Sequence, residues 1–318
     1  MIGFLNIFLL TLDLKNIAYK DRLITSLAMR LPSIPPLWVG LTGFICFATL
    51  GALIKLLRLD LDPLSLIAPW LAMNAFVMGI WIYWRSGWSG FKTKIISIHL
   101  IRGVIMCLPF LGGVYALHYV SLSLYSTLLN TSPFFLILLA SFWLNESVSP
   151  RIWLAVALGF IGVLVCLKPG WESFSWFLLA PLLAAMSHAV GNAWLRRYPD
   201  EPESRWVFYQ ELSGCTVAGF LLWTTGGTLP EYNHLVLMGS MVGIDILAMT
   251  TVFFAFKRME SSRIAPWIYI QIPASAIAGW ILFDEIPAWT TAVGATLIIL
   301  GGCLALSKKQ DDPQEDVD

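Results

Sequence analysis

Apolar runs of about 20 residues alternate with short polar breaks along almost the whole chain. The runs fall at about 37–57, 63–84, 95–117, 121–143, 150–167, 174–195, 205–224, 235–256, 262–283 and 287–306. Between them stand stretches rich in charge and turn formers, such as RSGWSGFKTK at 85–94, NESVSP at 145–150, RRYPDEPES at 196–204 and KRMESSR at 257–263. Each run is long enough as a helix to cross a hydrocarbon core of roughly 30 Å. No break is long enough to hold a soluble domain. The pattern therefore predicts an all-α polytopic membrane protein with ten transmembrane helices.

Charge sets the orientation. With both termini on the cytoplasmic side, sixteen of the 20 lysines and arginines lie on that side. Lys55, Arg58 and Lys168 lie outside, and Arg102 falls within the third run. Short loops are where the positive-inside rule applies best. Five spans per half is an odd number, so the second half enters the membrane inverted relative to the first.

Composition agrees with a membrane protein: 58% of residues are hydrophobic, 13% are charged, and the mean hydropathy is +0.74. Zero net charge leaves no basic footprint for nucleic acid. The five cysteines, Cys46, Cys107, Cys166, Cys215 and Cys303, sit in apolar runs without metal-ligand or CxxC spacing, and read as small core residues.

The second half repeats the first. Ser121–Leu167 and Ser261–Leu306 both open on small polar residues and carry a proline about three turns in, Pro133 and Pro273. Each then has an acid at the break, Glu146 or Glu285, and a glycine sixteen residues further on, Gly162 or Gly301. These segments resemble the EamA-type repeat of the drug/metabolite transporter superfamily, in which glycines follow the acid at plus 9 and plus 16. Glu285, Gly294 and Gly301 fit throughout. In the first half Ala155 replaces the first glycine, and Gly159 is a candidate for the close contact instead. The resemblance covers roughly 36–306. It implies two inverted five-helix repeats, 36–170 and 171–307, around a central cavity open alternately to each side. The family's cargoes include amino acids, nucleotide sugars and drugs.

Asp245 lies mid-way along the eighth run, where an unpaired carboxylate is costly; it is a candidate to read a cationic substrate or carry a coupling proton, against the alternative of a structural acid. Glu211, two turns into the seventh run, is a second such candidate, unless it reaches water or Arg205 at the interface. His188 and Asn192 share one face of the sixth helix and could line a cavity. Arg102 is expected to snorkel to the cytoplasmic headgroups, with pairing to an acid as the alternative. Pro133 and Pro273 cannot donate to the carbonyls of Leu129 and Tyr269, which leaves acceptors near mid-membrane. Asn130 and Gln271 adjoin these helix breaks, and polar groups at matching breaks in two halves point to a substrate site, against the alternative that they only join helices to one another. Trp267 and Tyr269, beside Gln271, are candidates to stack on an aromatic or cationic group. Gly239 and Gly243 form a GxxxG spacing that would permit close helix approach. Helix capping accounts for Glu146, Asp284 and Glu285, and interfacial anchoring for most of the 15 tryptophans.

Residues 1–35 read as an extension, either an interfacial helix or sequence upstream of a start at Met29. Residues 308–318 read as an acidic disordered tail. No P-loop, HExxH, GxSxG or potassium-filter motif occurs, and no cofactor or metal is called for. The expectation is a secondary active transporter of a small organic metabolite, preferably cationic or zwitterionic and amino-acid-like or aromatic, in the inner (plasma) membrane. The alternatives are a broad-specificity exporter of lipophilic cations, or a membrane enzyme or scaffold. Its partners would be that substrate, the bilayer, and a coupling proton or exchanged metabolite; monomer and homodimer both stay open.

Overall fold

The computed structural model describes residues 35–142, 148–167, 176–198, 200–258 and 265–306. The expected N-terminal extension, Glu146 and the acidic tail lie outside these residues. Helices begin where the sequence offers a suitable first turn. Pro36, Pro63 and Pro150 open α1 (Pro36–Leu57), α2 (Pro63–Ser86) and α6 (Pro150–Leu167), positions at which a missing N–H costs nothing. The third span is α3 (Ile96–Ala116). The fourth is broken into α4 (Leu122–Leu129) and α5 (Ser132–Phe142), and the interruption falls immediately before Pro133.

The second half continues with α7 (Leu179–Arg197), α8 (Glu203–Thr224) and α9 (Tyr232–Arg258). The ninth span starts as a 3₁₀ turn over Ala265–Ile270 and becomes α10 (Gln271–Phe283), with Pro273 in its first turn. Asp284 ends α10 in the left-handed conformation, φ 53°, before α11 (Trp289–Leu306). Among the described residues seven helices are long and apolar enough to cross a membrane, and shorter apolar helices cover 267–283 and 289–305. Together with α8, the more polar seventh span, they make up the ten spans that the hydropathy pattern predicts.

Loop contacts sort into two ends, as up-and-down crossings require. At one end Ser65 Oγ donates to Thr228 O at 2.7 Å, and His234 Nε2 lies 3.9 Å from Asp60. Lys55 and Glu285 form an ion pair at the same end. At the other end Arg205 Nε donates to Gly90 O at 2.7 Å, and Tyr209 Oη to Phe91 O at 2.5 Å. Trp84, Trp88, Trp176 and Trp289 are exposed at span ends, consistent with interfacial anchoring. Phe76, Leu108, Ile161 and Leu300 are exposed mid-span, as helices facing lipid require.

Packing pairs the first span with the eighth and the third with the sixth. It also pairs the first with the ninth, the fourth with the sixth, the second with the seventh, the fourth with the ninth and the fifth with the tenth. The fifth and tenth meet backbone to backbone. A Cβ on Gly162 would lie 2.7 Å from Gly294 O, and one on Gly301 would lie 2.7 Å from Ala155 O. These partner positions run in opposite directions along the two helices, so α6 and α11 are antiparallel. Gly159 also lies at this crossing, 3.1 Å from the Gly301 Cβ position, and Phe134 packs on it from α5. The GxxxG expectation is corrected: among the described residues nothing lies within 4 Å of a Cβ built at Gly239 or Gly243, because that face of α9 meets no other described helix.

Candidate functional site

One group of buried polar side chains centres on Arg102 of α3. Its guanidinium donates from Nε to Gly191 O at 3.3 Å, and from Nη1 to Gln210 Oε1 at 2.7 Å and Trp206 O at 3.5 Å. The Trp206 ring covers the guanidinium at 5.3 Å. Arg102 is therefore only 6% exposed and ties α3 to α7 and α8. Snorkelling to headgroups is corrected: the carbonyls of neighbouring helices and the Gln210 amide offer the cation partners inside the bundle.

Glu211, the next residue along α8, is buried. Its Oε1 accepts from Gln210 Nε2 at 3.3 Å, while its Oε2 is buried without a partner. Glu211 lies close enough to Arg102 and to Asp245 of α9 to interact electrostatically with both. Asp245 is half-buried, and the amide of Asn74 of α2, itself buried, lies close enough to interact with its carboxylate. His188 of α7 is half-buried within electrostatic reach of Arg102, whereas Asn192, one turn on, is exposed. Four sequence-predicted residues, Arg102, His188, Glu211 and Asp245, thus come together from the third, sixth, seventh and eighth spans.

The helix breaks form a second group. Asn130, at the end of α4, is buried and spends its amide on its own helix, donating from Nδ2 to Ser126 O at 2.8 Å and to Ser126 Oγ at 3.4 Å. Ser126 Oγ donates across to Gln271 O at 3.4 Å, joining the two interruptions directly. Thr131 Oγ1 donates to Leu128 O at 2.6 Å, a carbonyl that also accepts the Thr131 N–H at 3.2 Å. Trp267 is exposed. Tyr269 is buried against Gly302 of α11, and its Oη has no partner, so its described surroundings are those of helix packing.

Two further features lie at the ends. A cavity of about 640 Å³ opens between the α2–α3 and α7–α8 connections, lined by Trp81, Arg85, Ser86, Asp200 and Arg205 among others. Glu201, also in its lining, bridges His99 Nε2, at 3.1 Å, and Arg205, at 3.6 Å. At the opposite end Lys55 pairs with Glu285 and donates to Val120 O at 2.8 Å, while Glu285 Oε2 accepts from Leu122 N at 2.9 Å. Glu285 is thus a cap, as expected, but of α4, which lies in the other half. Burial at this end perturbs Arg58 too, lowering its affinity for its proton from the ordinary guanidinium level.

Sequence reasoning missed Asn74 and Gln210. Asn74 is the one amide in the apolar stretch LAMNAFVMG, and the rule that singles out Asp245 covers it equally. Gln210 is overshadowed in sequence by the acid beside it.

Residues 34–168 match the EamA-like transporter family. A riboflavin transporter of Rhizobium johnstonii is 29% identical over 88% of this chain and 94% of its own length. An S-adenosylmethionine uptake transporter of Rickettsia bellii is 28% identical over 67% of this chain and 73% of its own. A pseudopaline exporter of Pseudomonas aeruginosa is 25% identical over 82% and 92%.

The chain carries an EamA-like transporter domain in its first half.

It is a multi-pass membrane transporter and not an enzyme. One crystal structure of a protein superposes on this transporter with a TM-score of 0.57, covering 85% of this chain and 96% of the other. At 18% identity that likeness concerns the fold alone.

Proposed function

We propose that this transporter is a secondary carrier of the inner membrane, with both termini cytoplasmic, which moves a small organic metabolite by alternating access. The cargo is cationic or zwitterionic, with amino-acid-like or aromatic character. The observation that carries this reading is the meeting of two acids, Glu211 and Asp245, on neighbouring spans with one Glu211 oxygen left without a partner. Intramembrane carboxylates tended by neutral amides offer acceptors for a cation or for N–H donors, and one of them can carry a coupling proton. His188, Asn192, Asn130, Trp267, Tyr269 and Gln271 complete the proposed lining, with the breaks at Pro133 and Pro273 as its flexible points.

The inverted relation of the two halves belongs to the same proposal. Exchanging halves turns the first–eighth pair into sixth–third and the first–ninth pair into sixth–fourth, and returns second–seventh, fourth–ninth and fifth–tenth to themselves. Antiparallel packing of the corresponding helices α6 and α11 favours the same symmetry. Such repeats can rock about a shared site.

S-adenosylmethionine joins an ammonium–carboxylate head, a sulfonium cation and an aromatic base; riboflavin is aromatic and uncharged. Uptake of each into proteoliposomes therefore tests the charge preference. Saturable uptake of the cation, lowered at least tenfold and stripped of pH dependence in Asp245→Asn, is expected. Unchanged transport and pH dependence in Asp245→Asn would remove Asp245 from the mechanism.

A further inference from the structure

A buried carboxylate beside a buried arginine ordinarily closes into a bidentate pair, because the matched geometry compensates both desolvation costs. Arg102 and Glu211 do not do this. They lie within electrostatic reach, both are buried, and yet no ion pair or hydrogen bond joins them. The residue between them is Gln210. Its Oε1 accepts from Arg102 Nη1 at 2.7 Å, and its Nε2 donates to Glu211 Oε1 at 3.3 Å. The chemistry of the partners fixes this amide orientation. A guanidinium has only donors and an ionised carboxylate only acceptors, so the carbonyl must face Arg102 and the amino group Glu211.

We propose that Gln210 is a positioning residue, which holds Arg102 off Glu211 and so keeps Glu211 Oε2 free to accept from the cargo. Gly191 O, Trp206 O and the Trp206 ring hold the guanidinium from its other sides, and Gln210 supplies the contact nearest the acid. Glutamine suits the position because it offers an acceptor and a donor without adding charge. A glutamate there would set a second anion against Glu211, and an apolar side chain would leave nothing between the two charges. Asn74 lies beside Asp245, so each acid has a neutral carboxamide next to it. The cluster consequently keeps its selectivity for cations or N–H donors over anions.

This inference rests on Glu211 belonging to the carrier's site, and its test is read on Glu211 itself. Dicyclohexylcarbodiimide adds to accessible carboxyl groups in apolar surroundings, and peptide mass spectrometry gives the extent at each residue. In the purified full-length protein, Glu211 should be modified. Gln210→Met, close in length but lacking donor and acceptor, should reduce that modification at least tenfold as Arg102 closes on the acid. The double variant Arg102→Met/Gln210→Met should restore it, which a general packing defect would not do. Gln210→Leu replaces Gln210→Met in both arms if the latter does not fold. An unmodified Glu211 in the parent protein, undiminished labelling in Gln210→Met, or no recovery in the double variant each overturns the proposal. Uptake by Glu211→Gln separates the two levels of the argument. Undiminished uptake removes Glu211 from the site, whereas lost uptake with undiminished labelling in Gln210→Met overturns only the role of Gln210.

Discussion

Replacing Glu285 by glutamine should weaken the tie between the two halves at the Lys55 end by a measurable amount. The wild-type carboxylate accepts from Lys55 Nζ and from Leu122 N, and the Lys55 and Glu285 side chains are 9% and 22% exposed. Glutamine keeps the size and an acceptor but loses the charge. A hydrogen bond to a charged group contributes about 1.5–3 kcal/mol and a neutral one about 0.5–1.5 kcal/mol, so two such bonds lose roughly 2–3 kcal/mol together. Lys55 keeps Val120 O and a neutral acceptor but loses its counter-ion, which adds part of the cost of an uncompensated buried charge, for a total on the order of 2–4 kcal/mol. Buried Cys107 and Cys166 supply the assay, because a thiol-reactive dye reports their exposure as the protein unfolds. Glu285→Gln, Lys55→Met and the double variant form a cycle, for which a coupling of about 1.5–3 kcal/mol is expected. If the tie also holds its end of the carrier shut, the ratio of open to closed forms should rise roughly 30- to 700-fold. A coupling below about 0.5 kcal/mol would refute the reasoning, since independent sites add to within that margin.

Two further outcomes follow from the helix contacts. Gly294→Leu should destabilise the protein by more than about 3 kcal/mol, since a Cβ there already lies 2.6 Å from Gly162 O and crowds Cys166, whereas Gly219→Ala, with nothing within 4 Å, should stay within about 1 kcal/mol; equal melting of the two variants would contradict the α6–α11 crossing. Tyr269→Phe should leave stability unchanged or raise it by up to about 1–2 kcal/mol, because the lost hydroxyl is buried without a partner; a loss of more than about 1 kcal/mol would contradict that, and a raised KM at unchanged stability would place the hydroxyl on the cargo, as the proposed lining has it.

The number of spans, their limits to within a few residues and the two proline breaks were legible in the sequence. These are local properties: a run of about 20 apolar residues has one way to satisfy its backbone in a bilayer, and a proline removes a donor wherever it stands. The polar residues Asp245, Glu211 and His188 could be marked as unusual for the same local reason. Their partners could not, because hydropathy fixes that a helix crosses but not which of its faces meets which neighbour. The spans are apolar nearly all round, so no stripe indicates their rotation. That rotation is what carries Asn74 to Asp245, turns Arg102 inward to Gln210 and brings Glu285 to Lys55, 230 residues earlier in the chain. It likewise turns Gly239 and Gly243 away from every other described helix while Gly162 and Gly294 meet. Local chemistry made these residues costly to bury, and only the packing of helices from both halves decided how each cost is met.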